Sequence, residues 1–190
     1  MQQLPLDLIQ VPPPTLDNYV VGPNAQAVST IEQIARGNPP AKIVVLCGPP
    51  GSGKTHLLNA LLARDDTLLA STSALMDAQD QAYRIWLADD PATLSLREDL
   101  RTRLASGLLI SLGLLSDDDK AVALQQHANA RGLKADQKVL DWLLTFQDRD
   151  IRHLMAYLDA VDRYALQNRR PLSVALLREF ERNQQRSPAD

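Results

Sequence analysis

The run Gly48-Pro49-Pro50-Gly51-Ser52-Gly53-Lys54-Thr55 fits the pattern G-x-x-x-x-G-K-[ST] at every position. That spacing is suited to gripping phosphate. Glycines let the backbone bend around an anion with its N–H groups turned inward. Lys54 is placed to reach the β- and γ-phosphates, and the Thr55 hydroxyl to hold magnesium. A helix starting at this point adds the positive end of its dipole. The plainer alternative is an accidental glycine-rich turn, and the context argues against it. Residues 43–47, Ile-Val-Val-Leu-Cys, read as a buried strand of a parallel sheet, and residues 55–63 read as the following helix. Pro49, Pro50, Gly51, Ser52, Gly53, Lys54 and Thr55 are therefore expected to bind ADP or ATP, with Thr55 as the candidate magnesium ligand.

Other residues invite chemistry. Residues 83–90 place an apolar run before Asp89 and Asp90, two acids that could order magnesium and a water. Arg152 falls in the first turn of an expected helix, where a cation opposes the dipole unless a phosphate is near. Its competing reading is a surface ion pair with Asp148 or Asp150. Arg101 and Arg103 read, on charge alone, as solvated arginines at a helix end. A guanidinium keeps its charge and forks onto phosphate oxygens, so Arg152 or Arg103 could serve a nucleotide. Cys47 reads as a small buried filler. His56, His127 and His153 lack metal-ligand spacing. Trp86, Trp142 and Phe146 read as core rather than base-stacking platforms.

The elements that must position these groups follow from periodicity and punctuation. Residues 1–19, with Pro12-Pro13-Pro14, read as an extended leader. Residues 25–36 read as a helix stopped by Gly37-Asn38-Pro39-Pro40. Residues 67–71, 83–88 and 108–112 are further strand candidates. From Ser116 the pattern turns helical: an N-cap followed by Asp117, Asp118 and Asp119 begins a helix that ends at Arg131-Gly132. Further helices are expected over 135–146, from 148–150 to 168, and over 174–182 with Ser173 as cap. The division is a leader (1–19), an α/β core (20–114) and a helical lid (115–190).

Composition narrows the partners. One cysteine excludes an internal disulfide and fits a reducing cytosol, so the expected location is cytoplasmic. A net charge of −3, without a basic, aromatic-interleaved patch, argues against direct sequence-specific nucleic-acid binding. No apolar stretch is long enough to cross a bilayer, so no membrane is expected.

The order of several segments resembles the Hda family, the DnaA-related AAA+ regulators of bacterial replication initiation. Leu16-Asp17-Asn18-Tyr19-Val20-Val21-Gly22-Pro23-Asn24 is similar to that family's adenine-framing segment, which implies a base site at Val20, Val21 and Gly22. Lys54-Thr55-His56-Leu57-Leu58 continues the loop as the family does and adds His56 to the site. Leu96-Arg97-Glu98-Asp99-Leu100-Arg101-Thr102-Arg103-Leu104 resembles the segment with the arginine finger, which implies that Arg103 acts in trans. Leu115-Ser116-Asp117-Asp118-Asp119-Lys120 resembles the start of the lid. Asp150-Ile151-Arg152-His153-Leu154 resembles its sensor helix, with Arg152 as the sensor. Gln3-Leu4-Pro5-Leu6-Asp7-Leu8 is similar to the family's sliding-clamp peptide, which implies that Gln3, Leu4, Leu6 and Leu8 bind the clamp. The resemblance implies an AAA+ P-loop core with a parallel sheet, followed by an all-helical lid, and DnaA and the clamp as partners. It also leaves self-assembly open.

The middle departs from the family pattern. Between Lys54 and Arg103 only one strand is clear, so the core is expected to be shortened by a strand. The run 83–90 is either the Walker B strand or, with Pro91-Ala92-Thr93, the first-sensor strand. The second reading keeps its spacing to Arg103 and places Asp89 beside the nucleotide. Hydrolysis by the chain itself is therefore left open. The leading expectation is a nucleotide-holding inhibitor of initiation that stimulates ATP hydrolysis on clamp-associated DnaA. The alternatives are a self-contained P-loop ATPase or small-molecule kinase, and a degenerate AAA+ remnant kept for protein contacts.

Overall fold

The computed structural model describes residues 12–38, 40–64, 84–88, 102 and 106–186. They form two compact units, divided between Ser116 and Asp117.

The first unit, Pro13–Ser116, is α/β. Its central strand β1 (Ile43–Cys47) is buried from Val44 to Cys47, as expected of a strand covered on both faces. β2 (Arg84–Ala88) and β3 (Leu108–Ser111) flank it, both parallel, in the order β2-β1-β3. Ala88 and Ser111 both lie level with Cys47, so the C-terminal ends of the three strands share one edge. Parallel strands need covering elements, and α1 (Ala25–Ala35) and α2 (Lys54–Leu62) contribute them. α1 buries Ala27, Val28, Ile31 and Ile34, one face at helical spacing. It ends at Gly37 (φ 76°), where the Gly37 and Asn38 N–H groups bond back to Ile34 and Gln33. Ile31, Leu46, Leu57 and Leu61 are fully buried in this core. Each is worth about 1.5–3 kcal/mol relative to exposure.

The leader expected to extend to residue 19 is shorter than that. Thr15 and Asn18 bond to each other's backbone, a local turn that inserts Leu16 and Tyr19 into the core. The apolar side chains at this spacing are anchors rather than pieces of a tail. The core unit runs through Ser116, and the lid unit begins at Asp117.

The second unit is all-helical. α3 (Asp117–Ala130) begins with three aspartates and closes at Gly132 (φ 70°), whose neighbour Leu133 donates to the Ala128 carbonyl. The Asp136 carboxylate caps α4 (Gln137–Phe146), and that of Asp150 caps α5 (Ile151–Gln167). The Ser173 hydroxyl accepts from Leu176 at the start of α6 (Val174–Arg186). α6 runs past residue 182, and its first turn buries Leu176 and Leu177. Trp142 joins this core as expected, whereas Phe146 is 60% exposed at the end of α4. Among the described residues, no helix is long and apolar enough to cross a membrane. The strand candidate at 67–71 lies outside the described residues.

Candidate nucleotide-binding site

The loop leaves β1 at Gly48 and enters α2 at Lys54. Two of its glycines are required by packing. A Cβ on Gly48 (φ 149°) would lie 2.4 Å from the Leu112 carbonyl oxygen. On Gly53 (φ 92°) it would lie 2.7 Å from the Tyr19 ring. The loop is thus pressed between the end of β3 and the leader turn. Ser52 is buried, its N–H donates to the Pro49 carbonyl, and its Oγ finds no protein partner.

α2 starts without a side-chain cap, because its N-cap is Gly53, and its first turn holds no acid. The first N–H groups of a helix have no acceptor within it. Here the usual carboxylate or hydroxyl is replaced by a glycine and a lysine, an arrangement that suits an anion arriving from outside. The Lys54 ammonium donates to the carbonyls of Gly48 (2.6 Å) and Pro49 (3.1 Å), which sets its charge at the loop. Thr55 is exposed.

The leader turn is pinned beside the loop. His56 Nε2 lies 2.9 Å from the Thr15 carbonyl and so carries the proton, and its ring meets Tyr19 edge-on at 5.3 Å. Tyr19 donates its hydroxyl to the Ser52 carbonyl at 3.2 Å and accepts from Asn24. Burial pushes the Tyr19 phenol above its ordinary range, partly opposed by the Asn24 hydrogen bond. Val20, Val21 and Gly22 follow, with Val21 39% exposed despite its apolar side chain. Tyr19, which precedes Val20–Gly22 in the chain, therefore joins the loop and His56. Cys47, expected as a filler, is buried and points its thiol at the Ile110 carbonyl.

Sequence reasoning did not single out Tyr19 or Asn24. Tyr19 lay inside a quoted segment, but no local pattern reveals that a phenol 33 residues away will cap Ser52. Asn24 closed the same quoted segment, and nothing local marks its bonds to Gly113, 89 positions away.

Arg152 sits at the N-terminal turn of α5 with its side chain 63% exposed. Its Nε donates to both Asp150 carboxylate oxygens, at 3.0 and 3.1 Å, and its Nη2 to one of them. The same carboxylate accepts the Arg152 N–H as the helix cap. The Arg152 hydrogen bond holds the Asp150 carboxyl down at about 2, against a smaller opposing effect of burial. The ion-pair alternative for Arg152 is thus present. Asp89, Arg103, Gln3, Leu4, Leu6 and Leu8 lie outside the described residues. The described residues hold no cluster of three or more metal-ligating side chains.

Residues 117–180 match the family model for the Hda lid domain. An uncharacterized protein of Haemophilus influenzae is 24% identical over an alignment covering 94% of this chain and 98% of that protein. The alignment spans 227 positions against the 190 residues of this chain, so the relative carries residues that this chain lacks. Domain III of the Thermotoga maritima replication initiation protein DnaA superposes with a TM-score of 0.70 at 15% identity, over 86% of this chain and 93% of that one. AMPPCP-bound DnaA from Aquifex aeolicus gives 0.63 at 16% identity, over 82% and 67%. The Thermotoga maritima RuvB Holliday junction branch migration motor gives 0.68 at 15%, over 89% and 71%. The chain shares the fold of DnaA domain III and of RuvB, and residues 117–180 of its helical unit are similar to the Hda lid domain.

Proposed function

We propose that this protein holds ADP or ATP in the Gly48–Thr55 loop and uses the loaded state to regulate DnaA, whose bound ATP it causes to be hydrolysed. The observation that carries the nucleotide reading is the uncapped start of α2, wrapped by a positive-φ glycine loop with Lys54 at its mouth. The backbone N–H groups of the loop and Lys54 would hold the phosphates, with Thr55 on a magnesium ion. Val21, apolar and exposed beside Tyr19, would meet the base.

The regulatory reading rests on the lid match and on the order of sequence segments. Arg103 would enter the neighbour's site and supply positive charge to the transferring phosphoryl group. The leader residues Gln3, Leu4, Leu6 and Leu8 would seat the protein on the sliding clamp in an extended form. Arg152 would leave Asp150 to meet a phosphate. The test is hydrolysis of DnaA-bound ATP in the presence of clamp-loaded DNA. The full chain should accelerate it, and no acceleration at any nucleotide load would sink the regulatory reading.

A second reading is a self-contained ATPase, favoured by β2 lying directly beside β1. The two strand ends are level, so Asp89 and Asp90 follow in sequence from the edge at which the loop begins. Turnover of ATP by the purified chain, lost on Asp89→Asn, would establish it.

A further inference from the structure

Away from any phosphate contact, one buried polar cluster connects the loop to the strand that leads out of the core. Asn24 is 3% exposed. A buried amide is costly unless its donors and acceptor are used. Its Oδ1 accepts from the Gly113 N–H at 2.7 Å. Its Nδ2 donates to the Gly113 carbonyl and to the Tyr19 hydroxyl, each at 3.2 Å. The two bonds to Gly113 make a bidentate clamp on a single residue's backbone. Tyr19 in turn touches the loop twice, with its hydroxyl on the Ser52 carbonyl and its ring against Gly53.

The other side of the loop is tied to the same segment. The Leu112 N–H donates to the Cys47 carbonyl at 2.8 Å, and the Leu112 carbonyl packs against Gly48. The phosphate loop and residues 112–113 are therefore joined at both ends, through Gly48 directly and through Ser52–Tyr19–Asn24. Residues 113–116 then lead into Asp117, where the lid unit begins.

We propose that Tyr19 and Asn24 are positioning residues that tie the state of the phosphate loop to the Gly113 segment leading into the lid. This rests on the nucleotide-holding reading above. A loop that turns its N–H groups onto phosphate must set the Ser52 and Gly53 peptide units. Tyr19 touches both and is itself buried, so a change there is felt at its hydroxyl rather than absorbed by solvent. Asn24 delivers it to Gly113 because all its described side-chain bonds run to Tyr19 and Gly113. In this low-dielectric setting, losing a partner costs more than the bond was worth.

The test is hydrogen exchange on the full chain, read in fragments covering residues 108–116, with and without saturating ADP. In the wild type, ADP should slow exchange at Gly113 at least about fivefold. Tyr19→Phe keeps the ring over Gly53 but removes the hydroxyl. It should still bind ADP, about three- to tenfold more weakly, as expected for one hydrogen bond. Its slowing at Gly113 should fall below about twofold at saturation. Equal slowing in wild type and Tyr19→Phe would overturn the coupling. So would ADP binding to the wild type with no change at Gly113, whether or not the variant folds. Absence of ADP binding in calorimetry would overturn the nucleotide reading itself, and the coupling with it.

Discussion

Replacing Gly48 with alanine probes the junction between the loop and β3. The added Cβ would stand 2.4 Å from the Leu112 carbonyl oxygen, whereas carbon and oxygen normally approach to about 3.3 Å. The obstructing atom is backbone, and Leu112 is held to Cys47 by a 2.8 Å bond, so no side chain can swing aside. Overpacking of this kind costs about 1–3 kcal/mol, and a positive-φ alanine adds about 1–3 kcal/mol. A total near 4 kcal/mol corresponds to a fall of roughly 8–16 °C in Tm for a chain of this size. Gly37→Ala is the matched control, since Gly37 also has a positive φ (76°) but nothing within 4 Å of its Cβ. It should lose only the conformational contribution, about 1–2 kcal/mol or roughly 2–8 °C. Thermal melts followed by circular dichroism decide. Equal shifts for the two variants would refute the steric argument, and with it the close packing of the loop on the end of β3.

Two further predictions concern the lid and the leader. The folded-state pKa of Asp150 is depressed to about 2, so its contribution is present above the unfolded carboxylate pKa of about 4 and is lost as pH falls toward 2. The stability difference between wild type and Asp150→Asn should be constant from neutral pH to about pH 5 and shrink between about pH 4 and 2. It should also shrink in about 1 M salt, because the pair is largely exposed. A difference that does not change with pH would remove the ion pair from the account. Replacing Gln3 and Leu4 together by alanine should leave ADP affinity within about twofold while abolishing clamp binding in surface plasmon resonance. Retained clamp binding would count against the leader as the docking peptide.

Much of the site was readable in the sequence because it is local. The loop pattern, the β-branched run before it and the apolar periodicity after it each rest on residues within a few positions. The same holds for the lid cap at Ser173, where a hydroxyl precedes an amphipathic run. What was not readable depends on residues that meet only in the fold. Asn24 and Gly113 are 89 positions apart, and Tyr19 and Ser52 are 33 apart. No periodicity marks such pairs. The boundary of the leader was misplaced for a related reason. Prolines signalled extension, yet Leu16 and Tyr19 lie close enough to the core to be buried by it. Arg152 was readable to the point of two alternatives, and the short Asp150–Arg152 geometry gives one of them a definite form.

The central claim is that the loop holds a nucleotide, and isothermal titration of ADP with magnesium into the purified chain tests it most directly. The account predicts one site per chain in the wild type, and at least about a tenfold loss of affinity in Lys54→Ala, the cost of a charge-assisted contact to phosphate. Binding that is undiminished by Lys54→Ala, or no binding to the wild type, would contradict it.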